Sequence, residues 1–381
     1  MTTKGLTRRQ FVERALGLGL TTSAVGGLLA ACGGEPAPTA SPLPPLGTTL
    51  PEELTVLTWA GYISADIRRG FEQKYGVRVV TEGEGSLGDG MVDILRAAPG
   101  WDVITASDCA VPILAEGRRA VGGSSDLQPI HTEYVPGVAD MLPFLSAQTI
   151  SSGAGGATYG VPVQWGAMGL AVRTDKVSEP ITRWAQVFPP EGRRYKGKIQ
   201  MLNDERETPG AALRMLGYSL NTTREDELDE AAASLMAQKP LVLGYDSFRI
   251  ERAIVEGLPL VHCWNSDCVK PQRALGPDRV SFVLLEEGFA LWADCLCVPR
   301  NAPSPYAAHL FIDYLLEPEV NAGMSNRTGS SSPIAGAEPY IEADVLALTP
   351  TEEEVRRGEF IEDLGRFSRA YTDAWAKVKS S

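Results

Sequence analysis

The sequence predicts an α/β protein built on open sheets, with enough chain for two domains, and three observations carry that prediction. At 381 residues the chain is too long for one small core. Its first ordered stretch repeats strand, loop, helix and strand, a rhythm that places ligands at the C-terminal ends of strands. Aromatic and acidic residues then recur at the ends of apolar strands: Trp59, Asp204 with Glu207, Trp264 with Asp267, and Trp292 with Asp294.

In chain order, Leu54 to Leu57 reads as a strand, and Trp59-Ala60-Gly61-Tyr62 as the loop after it. Ser64 is placed to cap a helix whose apolar stripe is Ile67, Phe71 and Tyr75, and Gly76 to stop it. Val77 to Val80 is the next strand. A loop and a helix from Met91 to Ala98 lead to a third strand at Asp102 to Thr105. Gly83-Glu84-Gly85-Ser86-Leu87-Gly88 matches the G-x-G-x-x-G phosphate pattern. Glu82, Glu84 and Asp89 would set negative charge where anionic oxygens must sit, so a plain glycine-rich turn is expected.

The run Gly160 to Val172 is apolar and broken by glycines, as expected of a long buried strand crossing between two halves. Lys198 to Leu202 is another strand. Thr208 and Pro209 are expected at the N-cap and first position of a helix reaching Tyr218. Arg224 to Gln238 follows as an amphipathic helix, and Ser247 is expected to cap a helix ending at Glu256 and Gly257. Leu258 to Cys263 is a buried strand, Ser304-Pro305 opens a helix through Leu316, and further helices run from about Glu319 and after Glu359.

The N-terminus is of another kind. Thr7-Arg8-Arg9-Gln10-Phe11-Val12 is a twin-arginine signature, and the apolar run to Ala31 ends in Leu29-Ala30-Ala31-Cys32, which resembles a lipoprotein processing site. Residues 1–31 are therefore expected to be a signal peptide, Cys32 the lipidated first residue, and 32–52 a tether rich in proline, glycine, serine and threonine. Cleavage removes Lys4, Arg8, Arg9 and Arg14 against Glu13, lowering the formal charge from −13 to −16. Such an acidic body disfavours nucleic acid as a partner. Five cysteines remain beyond Cys32. Their odd number leaves at least one thiol unpaired, and the sequence does not decide the pairing.

The stretch Phe289 to Val298 holds one carboxylate in an apolar strand, with Trp292 and Asp294 on one face. A buried aspartate needs a partner. That partner is either an arginine or lysine of the chain, or an ammonium ligand that gains a cation–π contact and a charge-assisted hydrogen bond. For Asp204 and Glu207 the same choice stands, with Arg206 as the internal cation. Several acids facing one site favour a ligand with two or more positive charges.

In this order, the motifs resemble the spermidine/putrescine-binding proteins of bacterial ABC importers. The resemblance rests on Leu57 to Tyr62, Trp101 to Ile104 with Ser107, Gly160 to Gly166, Asn203 to Glu207, Leu213 to Thr223, Trp264 to Asp267 and Leu291 to Pro299. It implies a type II periplasmic-binding-protein fold with two lobes, each a mixed sheet flanked by helices. Lobe 1 would comprise residues 53–162 and 295–338, and lobe 2 residues 163–294 and 339–381. It also implies that Trp59, Trp264 and Trp292 box a methylene chain, that Asp204, Glu207 and Asp294 hold ammonium groups, and that Ser107 lines the cleft. Asp267 matches an aspartate of the putrescine-selective branch. The chain departs from the pattern at Ala60 and Gly61, where a hydroxyl residue and an acid are common, and at Cys109 and Ser330, where relatives carry tyrosines.

The resemblance further implies a monomer that delivers a polyamine to an ABC permease, outside the cytoplasm, without a cofactor. The alternatives are a binding protein for a carbohydrate or other solute, and an exported enzyme. Against an enzyme, His131, His262 and His309 are far apart in sequence, and no HExxH, G-x-S-x-G or Walker pattern occurs. Cys263 and Cys268 beside His262 match no standard zinc spacing, which leaves buried thiols as the default.

Overall fold

Two long strands organise the structure. Val161–Arg173 (β4) is buried at every position, and Phe289–Cys297 (β9) at all but Trp292. Continuous rather than alternating apolar sequence is what a strand covered on both faces requires. The computed structural model describes residues 43, 45–83, 100–117, 125–145 and 157–381, all within one compact unit, Leu43–Ser381.

Among the described residues ten strands follow the path β2-β1-β3-β9-β4-β7-β5-β6, with β10 on β9 and β8 on β4. Glu53–Leu57 (β1) runs parallel to Arg78–Glu82 (β2) and to Val103–Ser107 (β3). β3 then meets β9 antiparallel, and β9 meets β4 antiparallel. Beyond β4 lie Ile199–Met201 (β5), Val242–Tyr245 (β6), Leu260–Trp264 (β7) and Val280–Val283 (β8). β7 is antiparallel to β4 and parallel to β5, and β5 is parallel to β6. Gly358–Phe360 (β10) adds to β9 in parallel.

β4 supplies both main cores. Val161, Val163, Trp165 and Ala167 pack with Leu54, Phe71, Phe289 and Phe311, whereas Leu170 and Val172 pack with Trp184, Leu213, Leu235 and Tyr371. This one strand therefore contributes to two separate hydrophobic clusters. Asp102, fully buried, accepts from the backbone N–H groups of Thr55 at 2.9 Å and Ser304 at 2.7 Å. One satisfied carboxylate thus ties β1 to the start of the Pro305–Leu315 helix, as a buried charge must be tied.

Local signals held where the capping side chain was unambiguous. Ser64 accepts from Ile67 N, and Gly76, at φ 72°, ends the Ala65–Tyr75 helix. Two other caps were misplaced. The helix assigned to Thr208 and Pro209 begins at Glu207, because Asp204 Oδ1 accepts from the N–H groups of Arg206 and Glu207 while the Thr208 hydroxyl turns back to Leu202 O. The helix assigned to Ser247 spans Ile250–Val255. Asp246 organises the preceding turn, and Ser247 Oγ accepts from Asn203 N instead. An aspartate two or three residues upstream outcompeted the hydroxyl in both places. β6, β8 and β10, each four residues or fewer, were not anticipated. Residues 84–88 of the glycine-rich loop, the Met91–Ala98 helix, the signal segment and Cys32 lie outside the described residues.

His131 and His309, distant in sequence, meet: His309 Nε2 accepts from His131 N at 2.9 Å. The five described cysteines are free thiols, with Cys263 and Cys268 sulfurs 3.9 Å apart. No described helix is long and apolar enough to cross a membrane.

His262 is fully buried edge-on against Trp184, with no partner at either ring nitrogen, and burial lowers its pKa to about 3. A base with a depressed folded pKa costs stability as pH falls below its unfolded value near 6.5. We expect His262→Phe to remove a loss of ~2 kcal/mol by pH 5 relative to pH 7.5. Urea titrations at the two pH values test this, and equal acid sensitivity of the two proteins would refute it.

Candidate functional site

The C-terminal ends of β1, β3 and β7, together with the middle of β9, surround a cavity of about 620 Å³. Trp59, Ser107, Glu207, Trp264, Trp292 and Asp294, all singled out from sequence, line it. So do Tyr62, Ser266, Lys270, Arg327, Thr328 and Ser330. A second cavity of about 690 Å³ has a wall of mixed charges, including Lys198, Asp246 and Arg249, but no tryptophan.

Asp294 is held where β9 is flanked on both sides: it registers with Ser107 of β3 and with Gln164 of β4. The Tyr62 hydroxyl donates to its Oδ2. Burial pushes the Asp294 carboxyl up to about 6, against the stabilising Tyr62 hydroxyl and Trp59 indole. Trp59 Nε1 has no hydrogen bond of ordinary geometry, so its effect on Asp294 is one of proximity. Tyr62 is itself raised well above the usual phenol range by burial and by Asp294, with Ser330 acting in the opposite sense.

Glu207 opens the Glu207–Leu216 helix and is 7% exposed, and its Oε2 has no partner. Burial, then the charge of Asp204, raises its pKa well above the carboxylate range, and the Trp264 indole and Arg206 oppose that rise. Arg206 does not neutralise it by contact. Its guanidinium bonds Glu362 O and Asn221 Oδ1 and lies 4.6 Å from the Tyr371 ring centroid. Among the described residues, no arginine or lysine forms an ion pair with Glu207 or Asp294. Asp108, half-buried beside them, is pushed up to about 8 by burial and further by Asp294, against the Cys109 backbone N–H.

Trp292 faces Gly166 across the β9–β4 pair. A Cβ at Gly166 would lie 2.2 Å from Asn265 Oδ1 and 2.6 Å from the Trp292 ring, so the glycine is what lets the indole lie against β4. Asn265 is fixed in turn, since its Oδ1 accepts from Ala167 N.

Two acids expected at the ligand have other duties. Asp204 caps the turn into the Glu207 helix and acts on the cavity through Glu207. Asp267 Oδ2 accepts from Trp264 N in the 3-10 turn Asn265–Cys268, which holds Trp264 in place. Burial takes its own carboxyl up to about 7. Neither is among the side chains that line the cavity. Sequence reading missed Asp108, although it follows Ser107 at the end of β3, and it gave Tyr62 no role, although Tyr62 lay within a quoted motif. Cys109 precedes the Ala110–Ala115 helix with its sulfur 3.4 Å from Ser107 Oγ, and burial pushes its thiol up to about 12. Among the described residues no group of three or more His, Cys, Asp or Glu could hold a metal ion.

A cavity lined by indoles and desolvated acids at the ends of the strands is suited to holding a small solute. Residues 67–349 match the bacterial extracellular solute-binding proteins, and the chain belongs to that family, one of binding proteins rather than enzymes. It is 32% identical over 227 residues to the spermidine/putrescine-binding periplasmic protein of Escherichia coli, covering 58% of this chain and 64% of that protein. It is 26% identical to a putrescine/cadaverine-binding protein of Pseudomonas aeruginosa, over 87% of this chain and 94% of the relative. The solved TpPotD lipoprotein of Treponema pallidum superposes with a TM-score of 0.75 at 26% identity, covering 86% of this chain and 99% of that one. The fold is accordingly that of the periplasmic binding proteins.

Raising a buried acid's folded pKa has a definite sign. Stability is fully present below the unfolded value near 3.8 and is lost as pH rises toward the folded value of about 6. Asp294→Asn is therefore expected to spare the ligand-free protein about 2 kcal/mol of the decline between pH 4 and pH 8. Parallel denaturant curves that keep the wild-type slope would refute this. Gly166→Ala is expected to weaken ligand binding by at least about tenfold, because the indole must move. Unchanged ligand affinity in that variant would show that Trp292 does not depend on the glycine.

Proposed function

We propose that this protein captures a linear cationic amine of the polyamine type in the cleft and delivers it to the permease of an ABC importer. The observation that carries the reading is the pair Glu207 and Asp294, two buried acids without a protein cation in a cavity walled by indoles. An ammonium group supplies the missing partner, and an indole face adds about 0.5–2 kcal/mol to it. A neutral sugar would stack on the same indoles but leave the acids uncompensated. The names of the Escherichia coli and Pseudomonas aeruginosa relatives support an amine in particular.

In this reading Asp294 and Glu207 hold ammonium nitrogen, with Asp108 adding to the negative field. Trp59, Trp264 and Trp292 flank the methylenes, and Ser107 lines the floor. Asp204 and Asp267 act at one remove, by fixing Glu207 and Trp264. Residues 53–162 with 295–338, and 163–294 with 339–381, form lobes that close about β4 and β9. The twin-arginine signal, Cys32 and the Treponema lipoprotein relative support a lipid anchor at the periplasmic face or cell surface, where the protein acts as a monomer.

At about 100 times its dissociation constant, putrescine or spermidine should stabilise the protein by roughly 2.7 kcal/mol. A thermal-shift panel of amines, sugars and amino acids tests this, and a shift confined to neutral sugars would sink it. Binding an ammonium favours the ionised acids, so affinity should fall as pH drops through about 6. Calorimetry at pH 8 and pH 5 should show at least a tenfold (~1.4 kcal/mol) loss. Equal affinities at the two pH values would remove Asp294 from the ligand.

A further inference from the structure

The cavity is electrically lopsided. Glu207 and Asp294 occupy its inner part with Asp108 close by, whereas Arg327 and Lys270 stand at its rim, both exposed. The two cations stand on neighbouring stretches of chain. Gly329 packs so tightly on the Ser266–Val269 segment that an added Cβ would lie 2.8 Å from Ser266 O and 2.9 Å from the Val269 side chain. The residues just before the glycine and just after that segment are therefore neighbours.

Their charges are not equally available. Lys270 Nζ is 2.8 Å from Glu251 Oε1. Arg327 donates through Nε to Gly61 O at 2.7 Å, and its terminal nitrogens make no hydrogen bond or ion pair among the described residues. Gly61 sits at φ 84°, a left-handed conformation that side-chain-bearing residues rarely adopt, and this turn presents its carbonyl to the guanidinium. The guanidinium is thus anchored at one nitrogen with a two-pronged donor edge left over, the geometry that reads a carboxylate or carbonyl oxygen. A second ammonium at the rim would face a free like charge, and among the described lining residues the acids are Glu207 and Asp294.

We propose that the preferred ligand is a linear amine with its ammonium group at Asp294 and Glu207, and that its other end carries a hydrogen-bond acceptor facing Arg327. A carboxylate or an acyl carbonyl would serve, as in an ω-amino acid or a mono-acylated diamine. The proposal rests on the amine reading of the cleft and narrows it: the acids select one charged end, and Arg327 selects the other end against a second ammonium.

Calorimetric titration of the full chain with putrescine, N-acetylputrescine and δ-aminovalerate tests it, alongside Arg327→Glu and Lys270→Glu. Arg327 is exposed and bonds only one carbonyl, so its replacement leaves both cores intact. The expected result is that at least one acceptor-ended amine binds about tenfold or more tighter than putrescine. Arg327→Glu should reverse that order, while Lys270→Glu should shift it less. Tighter binding of putrescine than of both acceptor-ended ligands, with no change of order in Arg327→Glu, would overturn the inference and leave the amine pocket standing. A δ-aminovalerate advantage without an N-acetylputrescine advantage identifies the acceptor as a carboxylate. The opposite pattern identifies it as an acyl carbonyl. Failure of every amine would overturn both the inference and the amine reading beneath it.

Discussion

The site depends on a single electrostatic constraint: two carboxylates are taken out of water without being given a cation. Protein interiors ordinarily pair such groups or protonate them. Here Arg206, which acts on Glu207, spends its donors on Glu362, Asn221 and the Tyr371 ring. The uncompensated charge appears instead as raised pKa values at Asp294, Glu207 and Asp108. Acids held in this way cost the fold stability that amides in their place would not.

The backbone makes this arrangement rigid. β9 is paired on both sides around Asp294, which fixes the backbone that carries the carboxylate, and the Tyr62 hydroxyl holds the side chain. Trp292 lies against β4 only because position 166 has no side chain. Asp204 and Asp267 do similar work one step away, each bonding the backbone N–H of a residue that lines the cavity. Of the five acids near the cleft, two line it, one adds to its field and two position others. Such a division of labour is the usual price of preorganisation.

Much of the architecture was legible because its signals are local or periodic. β4 and β9 read as buried strands from composition alone, and Ser64 and Gly76 marked their helix correctly. The short strands β6, β8 and β10 carry too few residues to show a period. The caps at Thr208 and Ser247 failed because hydroxyl and carboxylate side chains compete for the same N–H groups, and the outcome depends on how the preceding strand enters the turn.

The sequence by itself determined the residue types of the cleft: three tryptophans and a set of acids at strand ends, in an order that resembles one binding-protein family. Tertiary structure decided which acids line the cavity. Facing is a matter of where helix starts and strand registers point each Cβ, and it is set by contacts across more than a hundred residues. The same holds for Tyr62 on Asp294, Asp108 beside it, and Arg327 at Gly61. No spacing along the chain brings residues 61 and 327 together; the packing of two cores on one pair of crossing strands does.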